Sequence, residues 1–349
     1  MKKIIYILFL AVAMTACQGE TSEGGETTEK TDEQVVNVYT HRHYDVDQQL
    51  FAQFEEETGI KVNVVNANAD ELIQKMEAEG EASPADVLIT VDAGRLARAK
   101  DKELLQPVQS EFLEKTIPAH LIDTDKQWFA LTKRARVIVY VKETVKPEEL
   151  STYEALADPI WKGRILIRSS SNIYNQSLLA SLIANLGEDA ARGWAEGVVE
   201  NFARTPKGND RDQVKAAAAG DGDLAIVNTY YLGRMLNSED AVEANAGKAV
   251  GIFFPNQEDR GAHINISGAG VARHAPNQEN AVKFIEFLAS KEAQEVFAEA
   301  NYEYPVNPEV EPAELLQSWG DFKEDQLPLS QLGEFNKLAN LTFDVVGWP

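Results

Sequence analysis

Val35–Thr40 is a short β-prone run. Behind it, Asp45–Thr58 sets Val46, Leu50, Phe51 and Phe54 on one helical face, and Gly59 suits the stop. Ile60–Val65 predicts a second strand and Asp70–Glu79 a second helix, with Leu72, Ile73 and Met76 apolar. Asp86–Val91 and Ala93–Lys102 repeat the strand–helix step. Such alternation argues for a parallel sheet with helices on both faces. Further on, Trp128–Arg134 and Val137–Val141 make a long β-rich stretch that Lys133, Arg134 and Arg136 interrupt. Strands are predicted at Arg164–Ile167, Leu224–Val227 and Val250–Phe254. Helices are predicted at Thr152–Leu156, Gln176–Leu186, Ala190–Ala203, Arg211–Ala219 and Tyr231–Leu236. His263–Ser267 and Gly270–Arg273 are β-like, and Asn280–Asn301 reads as one long amphipathic helix.

This order predicts two α/β lobes, each a mixed sheet flanked by helices. The first takes residues 35–134 and 256–304, and the second residues 135–255 and 305–349. Two extended crossings, near Arg134–Val141 and Phe254–Ala262, would serve as hinges for closure around a ligand.

The ends of the pattern add a compartment. Residues 1–17, MKKIIYILFLAVAMTAC, place Lys2 and Lys3 before an uncharged apolar run and small residues before Cys17, which reads as an export leader. The ending Met-Thr-Ala-Cys resembles a bacterial lipobox and implies lipidation at Cys17, although Met14 departs from the commoner leucine. Residues 18–34 hold no large apolar side chain and read as a solvated tether. The expected location is the periplasm or the outer face of the cell membrane. The lone cysteine excludes an internal disulfide, a thiolate cluster or a CxxC pair, so a metal would need oxygen and nitrogen ligands.

The 349 residues carry 33 Lys and Arg against 56 Asp and Glu, a net charge of -23. That is the wrong sign for nucleic acid. It suits attraction of cations, though most of it is expected to be solvated surface. No P-loop, HExxH, EF-hand loop or G-x-S-x-G is present, and nothing in the sequence makes a positive case for an enzyme.

Three predicted strand-to-helix junctions carry aromatic residues. THRHYD brings His43 and Tyr44, SSSNIYNQ brings Tyr174, and NTYY brings Tyr230 and Tyr231. In open α/β sheets ligands bind beyond the carboxyl ends of strands, so all five would face one cleft. A phenol, with its pKa near 10, becomes a good ligand only where a strongly polarising cation displaces the proton. Phenolate is a hard anionic donor suited to Fe³⁺. Four phenolates would leave one negative charge on Fe³⁺, and an arginine would offset it: Arg234 first, then Arg204 and Arg95. The same aromatic set would also serve to stack on sugars, amines or aromatic ligands, and each tyrosine alone is at home in a core or at a strand end.

With YTHRHYDVDQQLFAQFEEETGIKV, SPADVLITVDAGRLARAKDKELLQPV, LADPIWKGRILIRSSSNIYNQSL, DLAIVNTYYLGRML and HINISGAGVARHAPNQENAVKFIEFLASKEAQEVFAEANYEYPVNP, the chain resembles the ferric-ion-binding proteins of bacterial iron ABC transporters over roughly residues 35–308. The resemblance implies a two-lobed periplasmic-binding-protein fold of type II with the ligand cleft at the hinge. It implies Fe³⁺ as cargo, a separate membrane permease and ATPase as partners, and a monomer. It further implies the branch that binds iron without an obligatory anion, through His43 as imidazole and Tyr44, Tyr174, Tyr230 and Tyr231 as phenolates. The alternative on the same scaffold is an organic cation, a polyamine or thiamine, held by cation–π contacts. An exported hydrolase acting in the cleft is the reading from another class.

Overall fold

The computed structural model describes residues 34–349; the leader, Cys17 and all of the tether except Gln34 lie outside the described residues. Nine strands follow in chain order: β1 (Val35–Thr40), β2 (Lys61–Asn66), β3 (Val87–Val91), β4 (Phe129–Val141), β5 (Ile165–Leu166), β6 (Leu224–Asn228), β7 (Val250–Phe253), β8 (Ile264–Val271) and β9 (Tyr304–Pro305). They join in the order β2-β1-β3-β8-β4-β6-β5, with β7 and β9 also paired to β4. The expected parallel pairing holds for β1 with β2 and β3, and for β5 with β6. The sheet is mixed because β8 returns antiparallel between β3 and β4.

β4 is unbroken, contrary to the expected interruption at Lys133, Arg134 and Arg136. Its first part, Phe129–Ala135, pairs with β8; Arg136–Tyr140 then pairs with β6. The strand tolerates its arginines because they are paired inside the protein. Arg136 Nη1 lies 2.6 Å from the Asp210 carboxylate, and Arg134 Nη1 donates to Ser267 Oγ at 3.1 Å. A buried charge is kept only where such partners meet it.

The two β-like pieces at 263–273 are likewise one strand. Its interior glycines allow close packing: a Cβ on Gly270 would sit 2.6 Å from the Gln127 carbonyl oxygen. The long helix expected over Asn280–Asn301 is two, Gln278–Ala289 and Lys291–Asn301. Ser290 divides them, extended at ψ 158, with Oγ accepting from the Ala293 amide at 3.3 Å. A local serine cap therefore overrides a continuous apolar stripe. The helix Ala241–Ala249 has no counterpart among the sequence-based expectations.

One apolar cluster runs from β1 and β3 through β4 to Val214, Val227 and Met235. A second gathers Tyr153, Trp161, Trp194, Phe343 and Trp348 under the helix Ile173–Leu186. Helix Asp45–Thr58 buries Val46, Leu50, Phe51 and Phe54, with the Phe54 ring edge-on to Phe284 at 5.0 Å. Each such ring or leucine contributes about 1.5–3 kcal/mol on burial. This packing fixes the angle at which the helix leaves β1, and with it the start of the helix. Near the C-terminus, Gln331–Glu334 packs against both Ala93–Asp101 and Ile173–Leu186, while Asn336–Val346 packs on Ile173–Leu186 and Glu188–Glu200.

Candidate functional site

Every aromatic residue singled out in the sequence sits at or just before the start of a helix. Tyr44 is the N-cap of Asp45–Thr58 and follows β1. Tyr174 lies in the first turn of Ile173–Leu186, which begins three residues earlier than the apolar pattern suggests because Ile173 is itself buried. Tyr230 and Tyr231 lie in the first turn of Thr229–Leu236, directly after β6. A helix N-terminus favours negative charge, so each phenol stands where a phenolate is stabilised.

The structure brings the tyrosines together. The Tyr174 and Tyr230 hydroxyls are 3.3 Å apart, and the Tyr230 and Tyr231 rings lie 4.3 Å apart between centroids. Tyr174 is close enough to raise the cost of ionising Tyr44, and Tyr174 and Tyr44 both raise it at Tyr230. His43 is placed differently. Its ring is exposed, stacks on Tyr44 at 5.5 Å, and turns Nδ1 toward the His41 carbonyl oxygen at 3.3 Å.

Arginines surround this group. Arg234 and Arg42 sit over the Tyr44 ring at 5.1 and 5.2 Å. Arg134, Arg136 and Arg168 lie 5.8, 5.9 and 5.8 Å from the Tyr174 ring. Arg234 is therefore where the sequence placed it. Arg204 is engaged instead with Gln213 and Asp221, and Arg95 with Asp70. The others were not legible as site residues: Arg42 is hidden inside the THRHYD motif, and Arg134 and Arg136 resemble a strand break.

Five guanidiniums, of Arg42, Arg134, Arg136, Arg168 and Arg234, face three carboxylates, of Asp47, Glu303 and Asp210. Asp47 accepts from Arg42 Nε at 2.8 Å and from the Tyr44 amide at 3.1 Å, so one carboxylate fixes both the arginine and the cap. Glu303 lies 3.2 Å from Arg42 and 3.8 Å from Arg134. Asp210, fully buried, accepts from Arg136 at 2.6 Å, from Arg168 at 3.4 Å and from the Asn228 amide at 2.9 Å. Arg136 also donates to Asn175 at 2.9 Å and to Asn228 at 3.2 Å, the residues beside Tyr174 and just before Thr229-Tyr230. The Asp210–Arg136 pair thus ties together both helices that carry the second set of tyrosines. Nitrogen atoms of Arg42, Arg134, Arg136 and Arg168 remain buried without a hydrogen-bond partner in the protein. The site has positive charge to spare.

Burial raises the phenol pKa of Tyr44, Tyr230 and Tyr231 above the ordinary tyrosine value, with neighbouring tyrosines and carboxylates adding to it. Tyr44, Tyr230 and Tyr231 are therefore neutral phenols in the free protein. The pH dependence follows. A tyrosine in the unfolded chain ionises near pH 10, before its folded counterpart. The stabilising contribution is intact below about pH 10 and is lost as pH rises from there through the folded values. Urea unfolding of the ligand-free protein at stepped pH is expected to show a falling midpoint above about pH 10, and a shallower fall in Tyr44→Phe. Equal slopes for the two proteins would contradict the assignment.

Among the described residues, no group of three or more His, Cys, Asp and Glu side chains is placed to hold a metal ion. Residues 49–324 match the family model described as bacterial extracellular solute-binding protein. The chain belongs to that family. Iron uptake protein A1 of Synechocystis is 53% identical over 317 residues, spanning 91% of this chain and 88% of its own. The structure of a Trichodesmium protein (IdiA, FutA) in complex with iron and citrate superposes with a TM-score of 0.88 at 52% identity, covering 90% of this chain and 100% of that one. The ferric binding protein from Campylobacter jejuni gives a TM-score of 0.85 at 47% identity, with 90% and 100% covered. The α/β periplasmic-binding-protein fold expected from the sequence is the fold of the chain. A member of the solute-binding family captures a ligand and does not transform it. Among the described residues no helix is long and apolar enough to cross a membrane.

Proposed function

We propose that this chain is the extracytoplasmic receptor of an iron ABC uptake system, taking Fe³⁺ as cargo in the cleft and handing it to a membrane permease driven by a separate ATPase. The observation that carries this reading is the meeting of Tyr44, Tyr174, Tyr230 and Tyr231 at three helix N-termini, within a shell of arginines richer in charge than its carboxylates. The names of the relatives, iron uptake protein and ferric binding protein, point the same way. Four phenolates on Fe³⁺ carry one net negative charge, which the surplus guanidiniums accept. Five guanidiniums against three carboxylates leave a surplus of two, of which the phenolates offset one, and their oxygens are acceptors for the unpaired arginine nitrogens. His43 would complete the set by turning its exposed ring inward.

The two lobes divide within β4, at 35–134 plus 256–304 and at 135–255 plus 305–349. The change of β4 partner at Ala135–Arg136 supports the first boundary, and the packing of Asn336–Val346 on Glu188–Glu200 supports placing the C-terminus with the second lobe. The chain acts as a monomer in the periplasm or at the outer face of the cell membrane. Lipidation at Cys17 would tether it there. An organic cation such as a polyamine or thiamine fits less well. It cannot draw protons from the phenols, and it would meet the arginines uncompensated.

The test is a visible titration of the purified protein with chelated Fe³⁺. A saturable phenolate-to-iron band at one iron per chain is the expected result. Folded, metal-free protein that develops no band would overturn the reading, and calorimetry with organic cations would follow.

A further inference from the structure

Asp92 closes β3 with a backbone that L residues avoid: φ is 82° and ψ is 117°, in a position that is completely buried. Such strain persists only where the surroundings over-determine it. Here they do. The Asp92 carboxylate caps the helix Ala93–Asp101 by accepting from the Gly94 amide at 2.9 Å, and it accepts from Asn265 Nδ2 at 2.8 Å. These two partners belong to the same side of β4 as Asp92. The third does not. Ser177 Oγ lies 2.8 Å from both carboxylate oxygens, and Ser177 belongs to the helix Ile173–Leu186, on the far side of β4.

Ser177 is fully buried and stands three residues after Tyr174, on the same face of that helix. Whatever fixes Ser177 also fixes the first turn and the direction of the Tyr174 phenol. We propose that the Asp92–Ser177 hydrogen bond is a latch across the cleft. It forms on closure and holds Tyr174 on the metal, which makes Asp92 a positioning residue for iron retention. This inference rests on the ferric reading above. The strained β3 terminus aims the Asp92 carboxyl at the opposite helix, where the Ser177 hydroxyl meets both of its oxygens. Neither residue touches the iron, so the latch acts on how long the cleft stays shut, not on the ligand set.

The experiment compares wild-type protein with Ser177→Ala and Ser181→Ala, each loaded with Fe³⁺. Iron loss to excess hydroxamate chelator is followed through the visible band. Ser181 is the control: it is buried in the same helix, but its hydroxyl donates locally to the Leu178 carbonyl at 2.7 Å. Ser177→Ala is expected to lose iron at least about tenfold faster, with the band at an unchanged wavelength because the donors are unchanged. Ser181→Ala should match the wild type. Small-angle scattering of iron-loaded Ser177→Ala should give a larger radius of gyration than the loaded wild type. A Ser177→Ala rate within about twofold of wild type, or equal acceleration in Ser181→Ala, overturns the latch. Should Ser177→Ala not fold, Ser177→Cys is read in the same way, since a thiol fills the site but is only a weak donor. A wild type with no band overturns the ferric reading and the latch with it; a wild type with a band and an unaffected Ser177→Ala overturns the latch alone.

Discussion

The Tyr230→Phe, Tyr231→Phe variant is expected to show a weakened and shifted visible iron band and to bind Fe³⁺ about a thousandfold more weakly than wild type, or roughly 4 kcal/mol. Both hydroxyls come from the first turn of one helix, and the variant removes two of the four phenolates while leaving two ring volumes in place. The rings can still stack as they do at 4.3 Å, so the fold has little reason to suffer. What goes is charge. Two phenolates against Fe³⁺ leave a positive centre, and Arg134 and Arg168 beside Tyr174 then repel it. Competition with citrate, monitored in the visible, measures the loss. A variant that still binds within tenfold of wild type would remove these tyrosines from the ligand set. The exposed His43 gives a useful contrast: His43→Ala should weaken binding less than tenfold, because its ring is one neutral donor and is not built into the core.

Asp210→Ala is expected to lower the unfolding free energy of iron-free protein by about 3–5 kcal/mol, as removing one partner of a buried ion pair does. Arg136 and Asp210 are both almost completely inaccessible, and the variant leaves the Arg136 guanidinium buried among Asn175 and Asn228 without a counter-charge. It also strips the Asn228 amide of its acceptor just ahead of Tyr230. Urea unfolding should show the shift, and the iron titration should show weaker binding beside it. Replacing both partners, Arg136→Met with Asp210→Leu, should recover much of the stability and none of the iron affinity. Recovery of both would mean that the pair serves folding alone. A loss below about 1 kcal/mol in Asp210→Ala would mean that water reaches the arginine.

The strand-then-helix order was legible because one apolar face repeats at helical spacing; Asp45–Thr58 is placed as its sequence predicts. The tyrosine junctions were legible for a related reason. Each motif follows the carboxyl end of a strand, and because β1 and β6 run in opposite directions along the path β1-β3-β8-β4-β6, those ends approach one another. The arginine shell was not. Arg134 and Arg136 in a β-rich run look like exposed charge, and only pairing with Ser267, Glu303 and Asp210, far along the chain, makes them interior residues. Ser290 was hidden in the opposite way: the amphipathic stripe continues through it while the backbone does not. Arg204 and Arg95 each have an acidic neighbour of their own, Asp221 and Asp70.

Arg134 and Arg136 are two residues apart on β4, so their side chains leave the strand on the same side, yet they are moored to opposite banks. Arg134 is held by Ser267 and Glu303, and Arg136 by Asp210 and Asn228. Torsion of β4 between them changes the separation of the two guanidiniums. The local potential felt by a ligand at Tyr174 is therefore a function of strand twist. Under the iron reading proposed above, untwisting β4 would draw countercharge away from the Tyr174 phenolate before the phenolate itself moved.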